Sequence, residues 1–108
     1  MGCEHNAEEC VQKISDLARV LGDRNRVRVL CMLAQNGAMS ACRLLEQLEI
    51  NQPTLSHHMR VLSEAGLVRV RRVSRWTQYS LCAETLDAYA AILGCMANRA
   101  RAQEEQDA

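Results

Sequence analysis

The sequence predicts a mainly α fold with a small β-hairpin: a winged helix-turn-helix of five helices, with the wing between helices four and five. Three observations carry this. Apolar residues recur at helical spacing in five stretches of the chain. The third and fourth of these are joined by about two residues, the short connection of a helix-turn-helix. Between the fourth and fifth, the period switches to the two-residue alternation of paired strands.

Each element has its own local reason. Val11, Ile14, Leu17, Ala18 and Leu21 form the apolar stripe of a first helix that stops near Gly22. Asp23 can cap a second helix, with Val27, Leu30, Cys31 and Ala34 as its expected inner face and Asn36-Gly37 as its end. Ser40 is a suitable cap for a third helix that carries Ala41, Leu44, Leu45 and Leu48 on one side. Asn51 caps the fourth, Pro53 fits its first turn, and Gly66 stops it. Val68 to Arg71 alternates, Trp76 to Leu81 does so more loosely, and Arg72 to Arg75 is read as the link between them. From Ala83 the helical pattern returns through Leu86, Ala90, Leu93 and Ala97. The chain is read as one domain, 1–108, with a mobile N-terminal arm at 1–10 and a polar tail at 103–108.

Composition narrows the function. The 108 residues are 48% hydrophobic and 24% charged, which is ordinary globular usage and excludes a collagen-like or disordered chain. Aromatics are only 3%, so Leu, Val, Ala and Met must build the core. The longest near-apolar run, Ala88 to Ala97, is too short to span a bilayer. No apolar leader follows Met1, so a cytoplasmic protein with mostly reduced thiols is expected. The formal net charge of zero hides an uneven distribution. Residues 1–18 hold one base and four acids, 19–75 hold ten arginines against four acids, and 76–108 hold two arginines against five acids. A basic middle rich in Arg, which pairs well with phosphate and guanine, points to nucleic acid.

The fourth helix sharpens that expectation. At 100° per residue, Leu55, Met59 and Leu62 fall within about 60° and face the core. His57, Arg60 and Glu64 lie opposite, with Ser56 and Thr54 on the two shoulders. Together with Gln52 in the first turn, this face carries short hydrogen-bonding side chains and an Arg, suited to reading base edges in a major groove. A merely solvated face is the plainer alternative. His58, at the edge of the apolar arc, is expected to pack and hydrogen-bond rather than touch a base. Arg71, Arg72 and Arg75 can reach phosphates or a minor groove from the wing, or simply protect a strand edge by their charge. No phosphate loop, Ser/His/Asp order or paired-carboxylate site stands out, so an enzyme is not expected. Storage or trafficking of metal by the six cysteines would leave the Arg clustering without a role.

The segment Ser40-Ala-Cys-Arg-Leu-Leu-Glu-Gln-Leu-Glu-Ile-Asn-Gln-Pro-Thr-Leu-Ser-His-His-Met-Arg-Val-Leu-Ser-Glu-Ala-Gly-Leu-Val68 resembles the ArsR/SmtB family of bacterial repressors, above all its arsenic-responsive branch. The segments Leu21 to Leu30 and Arg71 to Leu81 resemble it too. The resemblance implies a homodimer, formed through the first and last helices, that binds double-stranded operator DNA without a cofactor. It implies release when a metal, metalloid or oxidant reaches the cysteines. Two departures bear on the inducer: the Cys-x-Cys usual at the third helix reads Ser40-Ala41-Cys42, and the following Asp is Arg43. The wing tip, often Glu-Gly, is Val73-Ser74.

Arsenite or antimonite is the expected inducer, with cadmium or lead as further soft candidates. As(III) favours three thiolates, so Cys42 needs partners. Cys42 also lies near a helix start, where a thiolate is favoured. In relatives with thiols in the N-terminal arm, the arm completes the third-helix site of the other protomer, which implies a Cys3/Cys10/Cys42 set across the dimer. The alternative for Cys3 and Cys10 is an acidic arm with no fixed partner. A rival dithiol, Cys31 with Cys95, resembles the persulfide- and redox-sensing branch, although Cys31 is also readable as a small core hydrophobe. Cys82 is expected only to begin the last helix. The zinc-sensing branch carries histidines on the last helix where this chain has Asp87-Ala-Tyr89 and Asn98 to Arg101, and no Cys-x-x-Cys occurs.

Overall fold

Helix starts are set by three side chains that accept otherwise orphaned backbone N–H groups. The computed structural model describes residues 7–107. It contains α1 (Ala7–Leu21), α2 (Arg24–Asn36), β1 (Met39–Ser40), α3 (Ala41–Gln47), α4 (Gln52–Glu64), β2 (Val68–Val73), β3 (Trp76–Leu81) and α5 (Ala83–Asp107). The Asp23 carboxylate accepts from the N–H groups of Asn25 at 2.8 Å and Arg26 at 3.3 Å. Ser40 Oγ accepts from Arg43 N at 3.2 Å, and Asn51 Oδ1 from Thr54 N at 2.9 Å. All three caps are those expected from sequence. Gly66, at φ +77°, turns the chain out of α4; a Cβ there would also press on Thr85 Oγ1 at 3.3 Å.

The sheet has three antiparallel strands in the order β1-β3-β2. The wing is the β2–β3 hairpin, registered from Val68 opposite Leu81 to Val73 opposite Trp76. Its turn is therefore only Ser74-Arg75, with Ser74 in the left-handed region at φ 59°. Arg71 falls in β2 as expected, and Arg72 and Val73 belong to β2 rather than to the link. β1 was not expected at all. Its two residues pair with the root of the wing, Met39 opposite Tyr79 and Ser40 opposite Gln78. A two-residue strand has no periodicity to detect, and only the returning β3 gives it a partner.

The core lies under α4: Leu44, Leu48, Leu55, Met59, Leu62, Leu67 and Val68 pack with Val29, Leu33 and Met39. The α3 and α4 faces match expectation. The α2 face does not: Val29 and Leu33 are buried, whereas Val27, Cys31 and Ala34 are exposed. Both stripes follow an i, i+4 rule around Leu30, and packing of α2 on β3 and α4 selects the one that includes Val29.

The outer helices differ from expectation in the same way. On α5, Ile92 is buried and Leu93 is exposed. On α1, Val20 is buried and Val11 is 60% exposed. The first helix starts at Ala7, so residues 7–10 of the segment read as an arm are helical. The last helix runs to Asp107, through the segment read as a polar tail. Glu104, Glu105 and Gln106 are favourable helix formers, and periodicity of apolar residues is blind to them.

These assignments predict a contrast. Leu44→Ala or Leu62→Ala should cost about 2–5 kcal/mol, while Val27→Ala should change stability by no more than about 0.5 kcal/mol. Urea unfolding at one fixed protein concentration measures both; equal losses would restore Val27 to the core.

Candidate nucleic-acid interface and thiol positions

The fourth helix presents the face the wheel indicates. Gln52, Ser56, His57 and Arg60 are exposed and Thr54 is half-buried. On the wing, Arg71, Arg72 and Arg75 are all exposed. Trp76, which the residue-by-residue reading did not single out as a contact, is 55% exposed beside them. Its signal was available: an exposed aromatic next to arginines at a hairpin turn. Burial raises the pKa of Tyr79 at the wing root, partly offset by the positive charge of Arg72.

His58 behaves as expected, being 6% exposed beneath α4. Arg26 Nη1 lies 3.3 Å from His58 Nδ1, and Arg26 also donates from Nε to Val20 O at 2.6 Å. Donation to Nδ1 requires the tautomer with its proton on Nε2, which faces Asp23 Oδ1 at 3.8 Å. For Asp23, burial would raise the pKa, but hydrogen bonds from the backbone N–H groups of Asn25 and Arg26, helped by the Arg26 guanidinium, leave it below the ordinary value of 3.8.

The thiols are dispersed. Cys42 is exposed at the start of α3 and borders a cavity of about 290 Å³ between α3, α4 and the wing. Cys31 is exposed on α2, beside Arg24 and Arg28, so the small-hydrophobe reading does not hold for it. Cys95 on α5 borders an apolar groove of about 600 Å³ against α1, and Cys10 borders the same groove from the other side. Sequence reasoning paired Cys95 with Cys31 and did not consider this juxtaposition. Cys82 is buried just before α5; a hydrogen bond from Thr85 Oγ1 at 3.4 Å heads the interactions that lower its pKa, with Arg69 adding to them against burial. Cys3 lies outside the described residues. Among the described residues, no group of three or more His, Cys, Asp or Glu side chains could hold a metal ion. No helix among them is long and apolar enough to cross a membrane.

Comparison with known proteins places this geometry. Residues 23–70 match the family described as "Bacterial regulatory protein, arsR family". The arsenical resistance operon repressor of Staphylococcus xylosus is 40% identical over 76 residues, which span 70% of this chain and 72% of the relative. The chain belongs to the ArsR family. An HTH-type transcriptional regulator of Methanocaldococcus jannaschii is 37% identical over 71 residues, covering 66% of this chain and 80% of the relative. Among solved structures, reduced HlyU from Vibrio cholerae superposes with a TM-score of 0.66 at 31% identity, covering 79% of this chain and 86% of that one. The protein is thus a winged-helix transcriptional repressor of the ArsR family, a family of regulators rather than enzymes whose members bind operator DNA, typically as dimers.

The capping carboxylate makes a pH prediction for this ArsR-family chain. A folded-state pKa below the ordinary value means that Asp23 stabilises the fold fully above about pH 3.8 and loses that contribution as pH falls through the lower folded value. Asp23→Asn, which keeps a capping oxygen, should flatten the acid limb of a urea-midpoint profile as pH falls below about 3.8. An unchanged limb would remove Asp23 from the acid response.

Proposed function

We propose that the protein is a homodimeric repressor that holds an inverted-repeat operator through α4 and the wing and releases it when a thiophilic ion is captured. The observation that carries the DNA reading is the exposed polar face of α4 beside an arginine-bearing wing. Gln52, Thr54, Ser56, His57 and Arg60 address base edges from the major groove, and Arg71, Arg72 and Arg75 address phosphates or the minor groove. No cofactor takes part in DNA binding. Dimerisation runs through α1 and α5. Their unpartnered apolar surface supports this, with Val11 at 60%, Leu93 at 49% and Met96 at 51% exposure. A reducing cytoplasm suits both operator DNA and open thiols.

The inducer we assign is arsenite or antimonite, with Cys42 as central ligand and Cys3 and Cys10 of the other protomer completing the set. Support comes from an exposed Cys42 next to the DNA-facing elements and from relatives named for arsenical resistance. Cadmium has its own namesake among the relatives, a cadmium resistance regulatory protein homologue of Staphylococcus aureus, and lead shares its affinity for sulfur.

Three outcomes test the reading. Affinity for an inverted-repeat duplex should fall steeply with salt, and salt-independent or absent binding would refute DNA recognition. His57→Ala or Arg60→Ala should relax sequence preference at about 1–3 kcal/mol per lost base contact, whereas Arg72→Ala should weaken all duplexes alike. Cys42→Ser should abolish arsenite-driven release and loss of both arm cysteines should weaken it strongly, with Cys31→Ser and Cys95→Ser nearly silent. The reverse pattern, with polysulfide or oxidant as the effective signal, would assign sensing to Cys31 and Cys95.

A further inference from the structure

The cavity beside Cys42 has a chemistry of its own. Its rim carries the Arg75 guanidinium, the Gln52 amide and the hydroxyls of Ser56 and Thr77, and its floor is apolar, from Leu45 and Leu55. No Asp or Glu borders it. Every charged or donor group on the rim therefore favours an anion.

The walls are also joined to one another through the backbone. β1 pairs with β3 and runs directly into α3, so two ladder positions bind the root of the wing to the first turn of α3. Ser40 contributes to both, standing opposite Gln78 in the ladder and capping α3 through Arg43 N. The two-residue turn, with Ser74 at φ 59°, sets where Arg75 leaves the hairpin. Leu55, 3% exposed, anchors the α4 wall in the core.

We infer that this cavity seats one backbone phosphate of the bound duplex, gripped by Arg75 and Thr77 of the wing at the edge where Gln52 and Ser56 of α4 reach toward the bases. This rests on the reading of α4 and the wing as the DNA-binding face, and it adds a contact at the place where the two elements meet. The seat contributes affinity and register, not sequence preference, because a phosphate carries no base identity. It has a consequence for the thiol. Cys42 opens into the same cavity, so a seated phosphate shields Cys42, and thiol chemistry there competes with DNA directly. Trp76, the chain's single tryptophan, borders the cavity and reports its occupancy.

The test uses the full chain and a mixed-sequence 30-base-pair duplex at low salt (about 50 mM), where phosphate contacts dominate binding. Alkylation of Cys42 by iodoacetamide, followed by peptide mass spectrometry, should slow at least tenfold on saturation with duplex. Trp76 fluorescence should change over the same titration. Inorganic phosphate at matched phosphate concentration should do neither, and Arg75→Ala should reduce the salt slope of duplex binding by about one. If the duplex binds but Cys42 reacts at its free rate and Arg75→Ala keeps the slope, the phosphate seat is overturned while the DNA reading stands. Full protection by inorganic phosphate alone would make the cavity a small-anion site and also overturn it. If no duplex binds at any salt, both readings fall together.

Discussion

One arginine ties three of the five helices together. Arg26 enters the corner where α1 ends and α2 begins, donates to Val20 O at 2.6 Å and to Arg19 O at 3.4 Å, and meets His58 Nδ1 on α4 at 3.3 Å. The same corner holds Asp23, whose carboxylate caps α2 and faces the other ring nitrogen of His58. Three helices thus share one set of charges, and each member satisfies a group that burial would otherwise leave unpaired. The orientation of α4 follows from it. With His58 held beneath and Leu55, Met59 and Leu62 in the core, the opposite face of α4 has only one direction to point.

A second constraint positions the wing. A hairpin of six residues per strand is marginal alone, and Val70, Val73 and Trp76 leave much of its surface in solvent. It is secured at its root, where β3 takes β1 on one edge and β2 on the other, and where Cys82 N donates to Leu67 O at 2.9 Å. The arginines at its far end therefore stand at a defined distance from α4 without any core of their own. Function depends on two elements held at one spacing, and the wing root sets that spacing.

The remaining apolar surface is distributed by the same economy. A chain of 108 residues has a limited interior, and the core under α4 takes most of its large side chains. Besides Val27 on α2 and the valines and Trp76 of the wing, what is left over lies on α1 and α5 and stays open in the single chain. Among the described residues, α1 carries Glu8, Glu9 and Asp16 and α5 carries five acids, on elements other than those that hold the arginines of α4 and the wing. A neutral protein can thereby present one surface suited to phosphate and another suited to its own copy.

Much of this was legible in the residues. Caps at Asp23, Ser40 and Asn51 are local hydrogen-bonding choices, and a capping side chain reaches only two or three residues along its own chain, so sequence determines them. The same holds for the α4 stripe, since only one apolar arc exists there, and for the polar face opposite it, with His57 and Arg60. Tertiary structure decided the rest. The α2 helix carries two apolar stripes of equal periodicity, and only contact with β3 and α4 chooses Val29 and Leu33 over Val27 and Cys31. β1 exists because β3 returns beside it, and the meeting of Cys42 with Gln52, Arg75 and Trp76 in one cavity depends on that pairing. Sequence alone determines what a residue can do within a turn or two of itself; which distant residues share a surface is decided by packing, because several pairings satisfy the same local pattern and only one fills the core.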